Sequence, residues 1–325
     1  MEKVIRWGIV GPGVIANKFA EAIKNVEGAK LVAVASRTEG KGQEFAKKHG
    51  IENVFGEYEK MAENDIIDAV YIATPHTFHK SCAEIFLNAK KHVLCEKPVC
   101  VNQKDAQSLM ECAAKNNVFL MEAMWTRFLP AVLKAIEIAN SGEIGEIRGV
   151  SADFCYSITY DEDRKIFRSD MAGGGLLDVG VYGLNFAAMV LGYDIEDICA
   201  LSDVRDGIDC QTSVLIKYKS GAVASISGGV NVLKPTNGYI YGTKGYITLP
   251  KFYGADELIV TIGDDQKKIV KPYMGNGFEE EICEACSCIR AGKIQSDIMP
   301  MEESIRIIKQ MDLIREKINL KYPFE

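Results

Sequence analysis

The sequence predicts an α/β protein with a doubly wound parallel sheet in its N-terminal part and an α+β domain with a large open, mostly antiparallel sheet behind it. In residues 1–122, short apolar β-type runs alternate with amphipathic helical patterns, which is typical of a parallel sheet with helices on both faces. In residues 123–325, strand-like runs mostly follow one another, and turn signals such as Lys-Ser-Gly join them as antiparallel pairs. We therefore predict two domains, 1–122 and 123–325.

Apolar runs define the strands, and helical periodicity defines the helices between them. The six strands predicted for the first domain cover residues 5–10, 30–35, 53–55, 68–73, 92–95 and 118–122. The strands predicted for the second cover residues 146–156, 198–201, 211–218, 222–227, 238–241, 246–249 and 258–262. Its predicted helices cover residues 131–140, 181–191, 277–291 and 301–318.

Composition limits the classes of partner. The chain has 325 residues, 47% hydrophobic and 26% charged, which is ordinary for a soluble globular enzyme. Its net charge of -7 attracts neither nucleic acid nor anionic lipid, so we expect neither as a partner. The ten cysteines are scattered and the N-terminus lacks a secretory pattern. We expect reduced thiols and a cytoplasmic location.

A glycine-rich turn follows the first predicted strand and precedes a helical pattern. Residues 11–16 read G-P-G-V-I-A, which matches G-x-G-x-x-A in the strand–turn–helix context of dinucleotide-binding Rossmann domains. Gly11 permits the tight turn, Gly13 lets the backbone approach a pyrophosphate, and Ala16 keeps the helix close to the sheet. With Val14 and Ile15, these residues are predicted to bind the cofactor.

The residues after the second predicted strand favour NADP over NAD. An NAD-binding domain has an acidic residue about 20 positions beyond the glycine turn, where it bonds the ribose 2′-hydroxyl. This chain has Ser36, Arg37 and Thr38 there. A guanidinium beside two hydroxyls suits a 2′-phosphate, and no carboxylate repels one. The alternative is that Arg37 is an ordinary exposed arginine of a loop.

Several further motifs resemble those of the Gfo/Idh/MocA oxidoreductases. They are C-E-K-P at residues 95–98, A-T-P at 73–75 with His79 after it, and G-G-G-L-L-D-V-G-V-Y at 173–182. This resemblance covers essentially the whole chain and implies a Rossmann domain and an open C-terminal sheet, often with a homodimer formed through that sheet. Residues 121–128 and Tyr182 resemble the branch that contains dimeric dihydrodiol dehydrogenase and NADP-dependent D-xylose or D-glucose 1-dehydrogenases.

Lys97, Tyr182 and Asp178 are the candidate catalytic residues. Hydride leaves a carbinol carbon only when its hydroxyl proton is removed, so a proton acceptor is needed beside the nicotinamide. A tyrosine has a reference pKa of about 10 and needs a nearby cation to act as a base at neutral pH. We predict that Tyr182 takes the proton, that Lys97 lowers its pKa, and that Asp178 orients Lys97 or a second hydroxyl. The alternatives are core packing for Tyr182 and a helix cap for Asp178.

Other residues are candidates for contacts with cofactor and substrate. The remaining cofactor contacts are predicted at Thr74, Pro75, His76, His79, Glu96, Lys97, Trp125 and Arg127. The substrate contacts are predicted at Trp125, Phe154 and Phe278, although aromatic residues are more often part of a core. Alternatively, Arg127 forms a structural salt bridge, and His79 caps a helix instead of bonding the cofactor ribose.

Together these features predict an enzyme that transfers a hydride between NADP and a carbinol or carbonyl carbon of a sugar, cyclic polyol or trans-dihydrodiol. One alternative is a reductase of another sugar-like ketone, of the anhydro-sugar or inositol type. Another is a non-catalytic dinucleotide-binding regulator, against which the presence of both Lys97 and Tyr182 argues. No metal is predicted, because Cys283, Cys286 and Cys288 fit the buried positions of an amphipathic helix.

Overall fold

The computed structural model describes residues 3–325 and divides into two compact units. The first unit contains the chain up to Trp125 together with Met274–Ile305, and the second contains Thr126–Tyr273 and Arg306–Glu325. The sequence prediction placed the boundary after residue 122 and assigned all of 123–325 to the second domain. The structure instead places Met274–Ile305 in the first unit, because this segment packs beside the last strand of that unit. There the Leu120 amide donates a hydrogen bond to the Ile294 carbonyl over 3.0 Å.

The first unit is built on a six-stranded parallel sheet. Its strands are β1 (Ile5–Val10), β2 (Ala29–Ala35), β3 (Asn53–Phe55), β4 (Ala69–Ile72), β5 (His92–Glu96) and β6 (Leu120–Ala123). They lie in the order β3-β2-β1-β4-β5-β6, and every neighbouring pair is parallel. The strand order reverses between β1 and β4, and in such sheets dinucleotides bind at the carboxyl ends of the strands beside this reversal. The predicted doubly wound sheet is confirmed.

Helices connect these strands and continue into the second unit. They are α1 (Val14–Ala22), α2 (Lys41–His49), α3 (Tyr58–Ala62), α4 (His79–Asn88), α5 (Gln103–Asn116), α6 (Pro130–Ser141), α7 (Val181–Leu191), α8 (Phe278–Arg290) and α9 (Met301–Lys317). In α1, the buried Phe19 ring stacks on Tyr71 of β4 at 4.0 Å and meets Trp7 of β1 at 5.6 Å. Burying these aromatic side chains fixes α1 against the centre of the sheet.

The second unit contains an eight-stranded, mostly antiparallel sheet. Its strands are β7 (Ile147–Cys155), β8 (Ile195–Arg205), β9 (Ile208–Tyr218), β10 (Val223–Gly229), β11 (Gly238–Gly242), β12 (Gly245–Leu249), β13 (Glu257–Ile262) and β14 (Asp265–Val270). Their order is β14-β13-β12-β11-β7-β10-β9-β8, in which only β7 and β10 pair in parallel within the described chain. The predicted open sheet is confirmed.

The sequence prediction missed strand β14 because its residues are mostly polar. They read D-Q-K-K-I-V and lie at one edge of the sheet, where they are largely exposed and need no apolar face. Strand β8 also extends beyond the predicted residues 198–201. The prediction covered only the middle of the strand, because the apolar pattern on its buried side is confined to that part. The four predicted helices of this half match α6, α7, α8 and α9 to within one residue at each end.

Helix α7 covers one face of the second sheet. It is preceded without a break by a π-helical turn, Leu176–Gly180, and its first eight residues are buried. A methyl group on Gly183 would lie 2.6 Å from Ile226 of β10, so the helix backbone approaches the sheet closely. The stretch Ser169–Leu191 is apolar and long enough to span a membrane, but 78% of its most apolar 18-residue window is buried inside the protein, as expected for a core helix.

Candidate functional site

The glycine turn after β1 has the geometry that a dinucleotide phosphate needs. Gly11 has a φ of +85°, and a Cβ there would lie 3.0 Å from Thr74, so a larger residue would be strained. A Cβ on Gly13 would meet no atom within 4 Å, so a phosphate can approach the backbone at the start of α1. Helix α1 has no side-chain cap and no acidic residue in its first turn. Its first N–H groups and the positive end of its dipole can therefore hold an anion.

The other residues of the turn divide between surface and core. Val14 is 87% exposed at the first position of α1, Ile15 is half-buried, and Ala16 is completely buried against the sheet. Val14 therefore presents its backbone rather than a packed side chain to the open side of the turn. These residues fit the phosphates of a dinucleotide cofactor, with Ala16 as the close helix–sheet contact that the sequence predicted.

Arg37 is held in place by two aromatic rings. Its guanidinium lies 5.1 Å from the Tyr58 ring centroid and 5.0 Å from that of Phe78. The Thr38 amide donates to the Ser36 hydroxyl over 3.2 Å, which closes the turn after β2. A fixed, exposed guanidinium beside this turn is suited to a ribose 2′-phosphate. Sequence reasoning missed Tyr58 and Phe78, because no local pattern links them to Arg37.

His79 connects the ends of two neighbouring strands. Its ring is completely buried, with Nδ1 2.8 Å from the Pro98 carbonyl and Nε2 2.9 Å from the Thr74 carbonyl. Both nitrogens are thus engaged by main chain, so we assign His79 a structural role instead of the predicted ribose contact or helix cap. Pro75 and His76, in contrast, remain partly exposed at the end of β4, and their predicted cofactor contacts stay predictions.

Glu96 lies buried directly before Lys97 at the end of β5. The Tyr71 hydroxyl donates to its Oε1, and the Lys97 amide donates to its Oε2 over 3.2 Å. Burial raises the pKa of Glu96 to about 7, against the opposing effects of the Lys97 charge and the Tyr71 hydrogen bond. The carboxyl group fixes the main chain at Lys97, whose partly exposed side chain begins at the carboxyl end of the sheet. This is where a dinucleotide-binding sheet places its reacting groups.

Two of the three predicted substrate residues pack together in the first unit. The rings of Trp125 and Phe278 lie 5.4 Å apart, and the Lys18 ammonium lies 5.9 Å from the centroid of Phe278. Both aromatic side chains are more than nine-tenths buried, so they also stabilise the contact between the end of β6 and the start of α8.

The second unit brings the other predicted residues into one cluster, which we call the Asp178 cluster. It consists of Phe154, Tyr156, Asp178, Tyr182 and Tyr253. The Tyr156 hydroxyl donates to Asp178 Oδ2 over 2.5 Å. The Phe154 ring stacks on Tyr253 at 4.0 Å and lies 5.3 Å from Tyr182. Strand β7 and the turn before α7 thus place a carboxylate, a phenol and an apolar surface side by side.

Tyr156 and Tyr253 belong to this cluster but were not predicted from the sequence. Burial and the neighbouring Asp178 charge raise the pKa of Tyr156, so its phenol remains a neutral donor. Tyr156 follows Phe154 by two positions and therefore shares its side of an extended chain, a signal that could have identified it. Tyr253 lies in a short helical turn, Phe252–Gly254, and no periodicity marks it.

Arg127 is buried at the start of the second unit. Only 4% of it is exposed, and the hydroxyl of the adjacent Thr126 donates to the Tyr253 carbonyl over 2.6 Å. The predicted contact of Arg127 with the cofactor and its alternative, a structural salt bridge, both stay predictions.

The three cysteines of α8 behave as apolar residues. Cys286 and Cys288 are buried, Cys283 is half-buried, and burial raises the pKa of each thiol. Within residues 3–325, no group of three or more His, Cys, Asp or Glu side chains is placed to hold a metal ion.

Comparison with known proteins identifies the family. Residues 5–124 match the Gfo/Idh/MocA oxidoreductase model with an NAD-binding Rossmann fold, and residues 132–248 match the C-terminal domain model of the same family. Trans-1,2-dihydrobenzene-1,2-diol dehydrogenases from Mus musculus and Danio rerio are 33% and 34% identical to this chain, and in each case 98% of both chains is covered. A 3-ketoreductase from Actinomadura kijaniata, solved with NADP and TDP-benzene, superposes with a TM-score of 0.89 at 25% identity, over 97% of this chain and 98% of that one. The chain belongs to the Gfo/Idh/MocA family of oxidoreductases.

Proposed function

We propose that this oxidoreductase uses NADP to interconvert a CH–OH group and a carbonyl group on a trans-dihydrodiol, a sugar or a cyclic polyol. The observation that carries the proposal is the similarity to trans-1,2-dihydrobenzene-1,2-diol dehydrogenases over 98% of both chains. The Asp178 cluster supports it, because it combines hydrogen-bonding groups with aromatic surface, as recognition of a ring that carries hydroxyl groups requires.

NADP is the proposed cofactor because Arg37 takes the place of the acidic residue that selects NAD. Gly11, Gly13 and the first turn of α1 would hold the pyrophosphate, and Arg37 would hold the 2′-phosphate. When bound, the oxidised nicotinamide supplies the hydride acceptor.

The protein's own residues would then handle the proton. In the oxidation direction, Tyr182 removes the proton of the substrate hydroxyl while the carbon–hydrogen bond breaks and the carbonyl forms. Lys97 keeps the role that the sequence predicts for it, as the cation that would stabilise the phenolate and bond the substrate oxygen. Asp178, fixed by Tyr156, accepts a hydrogen bond from a second hydroxyl of the substrate. In the reduction direction, the same groups return the proton.

A substrate screen tests the proposal. Purified protein is incubated with NADP+ and, separately, with trans-dihydrodiols, pentoses, hexoses and inositols, while NADPH absorbance is followed. The expected result is turnover with at least one dihydrodiol or sugar. Turnover only of anhydro-sugar or inositol-type ketones with NADPH would favour the alternative reductase. Measurable NADP binding without any turnover would favour the non-catalytic regulator.

The cofactor preference gives a first mutational prediction. Arg37→Ala removes charge-assisted hydrogen bonds to a 2′-phosphate, each worth about 1.5–3 kcal/mol, so the KM for NADP+ should rise on the order of 10- to 100-fold. The KM for NAD+, which has no 2′-phosphate, should not rise. Arg164→Ala, which changes an exposed arginine of the second unit, is the control. Equal effects of Arg37→Ala on NADP+ and NAD+ would contradict the assignment.

We further propose a homodimer formed through the open face of the second sheet. This face carries exposed apolar side chains on neighbouring strands: Leu201 is 81% exposed, Leu215 53% and Val223 45%. Tyr241 and Tyr246, which pair across β11 and β12, extend the apolar surface. Contiguous exposed apolar area of this kind is typical of a protein interface. A second copy of the chain fits it because a two-fold axis buries the same face on both subunits.

The dimer predicts a change of mass in solution. Leu215→Asp puts a charge on the open face without touching the buried one, so light scattering should report the 35.8 kDa monomer where the unmodified protein gives twice that mass. Leu133→Asp, on an exposed position of α6, should leave the dimer intact. A wild-type monomer at micromolar concentration would refute the dimer.

We also propose a cytoplasmic location. All ten cysteines are free thiols and most of them are buried, an arrangement that suits a reducing compartment.

A further inference from the structure

Asp209 carries a titratable carboxyl group that the proposed reaction does not use, and it is completely buried in the second unit. It lies on β9, and its Oδ2 accepts hydrogen bonds from the Leu176 amide over 2.6 Å and from the Thr212 hydroxyl over 2.8 Å. Burying a carboxyl group costs free energy of folding unless hydrogen bonds inside the protein replace those to water. Leu176 begins the π-helical turn that runs into α7.

The glycine-rich turn before α7 packs against this carboxyl group at Gly174. Gly174 has a φ of +114°, and a Cβ there would lie 2.2 Å from Asp209 Oδ1. A Cβ on Gly173 would lie 2.5 Å from the Ile166 carbonyl oxygen, and one on Gly175 would lie 2.9 Å from the backbone of β10. Close contacts therefore require glycine at all three positions, and at Gly174 the contact is with Asp209.

The turn leads directly to two residues of the Asp178 cluster. Asp178 lies two positions after Leu176, and Tyr182 lies about one helical turn further on, with no break in the helix. A displacement of the Leu176 amide would consequently move both side chains. Resting on the proposed function, we propose that Asp209 is a positioning residue for the reaction: it anchors the start of this helix and thereby fixes Asp178 and Tyr182.

The groups that surround Asp209 are consistent with an anchor. Burial raises its pKa to about 7, against the opposing effects of the hydrogen bonds from Thr212 and Leu176. Tyr322, near the C-terminal end, is a nearby titratable group on another element. The Arg315 guanidinium lies 5.0 Å from the centroid of its ring. Cys210 follows Asp209 on the same strand, and burial raises the pKa of its thiol as well.

Asp209→Asn tests the anchor because it keeps the shape and removes the charge. We expect kcat to fall on the order of 10- to 100-fold, the loss typical of misplaced catalytic groups. The NADP Kd should stay unchanged, because the glycine turn and Arg37, which would hold the phosphates of the cofactor, lie in the first unit. Hydrogen exchange of the amides in residues 174–182 should become faster. Asp194→Asn, which changes an exposed acid of the same unit, is the matched control.

Thr212→Val provides a second test if Asp209→Asn fails to fold. It removes one hydrogen-bond donor to Oδ2 of Asp209 at nearly constant side-chain volume. The loss of kcat and the faster exchange in residues 174–182 should both be present but smaller. Wild-type kcat in a folded variant, or lower kcat with unchanged exchange in 174–182, would overturn the proposal. If the unmodified enzyme turns over no substrate, the proposed function fails, and the exchange data alone then decide on the anchor: faster exchange supports it and unchanged exchange overturns it.

Discussion

Tyr182→Phe is expected to lower kcat by about 10²- to 10⁴-fold, the usual contribution of a general acid–base group. The substitution removes only the hydroxyl. The ring contacts with Phe154 and Tyr253 remain, so the fold and the NADP Kd should be retained. Steady-state kinetics with the best substrate of the screen, together with NADP binding by fluorescence, provide the measurement. Tyr218→Phe, at another buried tyrosine of the second unit, is the control and should keep wild-type kcat.

Lys97→Met should produce a loss of similar size if Lys97 has its predicted role as the cation that stabilises the phenolate. If the two residues act on one proton transfer, the double variant should be little slower than either single variant. Fully multiplicative losses would show that Lys97 and Tyr182 act independently. Near-wild-type turnover by Tyr182→Phe would exclude this tyrosine as the proton acceptor.

The sequence predicted those parts of the molecule that local patterns specify. Alternating apolar runs and helical periodicity predicted the parallel sheet, and the strand–turn–helix context of Gly11 and Gly13 predicted the phosphate turn. The same patterns predicted helix α8 but not its unit, because periodicity identifies a buried face without identifying what covers it. Polar β14 was missed for the opposite reason, since an exposed edge strand needs no apolar pattern.

The sequence predicted which residues belong to the candidate site, but it did not predict which residues they contact. His79 was expected to bind the cofactor, but its two ring nitrogens face main-chain carbonyls that lie 19 and 5 positions away along the chain. Asp209 carried no signal of its own and Tyr156 only its spacing from Phe154, because their partners Leu176 and Asp178 lie 33 and 22 positions away along the chain. Long-range hydrogen bonds of buried polar groups are the information that a single sequence does not display.

Glu96 is expected to make the protein less stable as the pH rises from about 4.5 to 7. Burial raises its pKa from 4.5 to about 7 in the folded state, so the folded protein keeps a proton that the unfolded chain has released. The unfolded state then binds fewer protons, and the free energy of unfolding falls with pH across this window. A change of this size corresponds to roughly 3 kcal/mol. Burial also raises the pKa of the nearby, fully buried Glu281 well above its ordinary value.

Glu96→Gln removes this titration and should therefore change how stability depends on pH. Calorimetry of the cofactor-free protein at pH 5 and pH 8 gives the thermal midpoint of the first unit. Relative to wild type, the midpoint of the variant should gain roughly 6 to 12 °C between these two values, because 1 kcal/mol shifts it by about 2–4 °C in a domain of this size. The thermal midpoints are compared between two pH values because the substitution also weakens the acceptor of the Lys97 amide, and this loss lowers stability equally at pH 5 and pH 8. Glu63→Gln, at an exposed position, should follow wild type. Parallel curves for wild type and Glu96→Gln would mean that this carboxyl is ionised in the folded protein already at pH 5, and that the Lys97 ammonium, rather than burial, determines its charge.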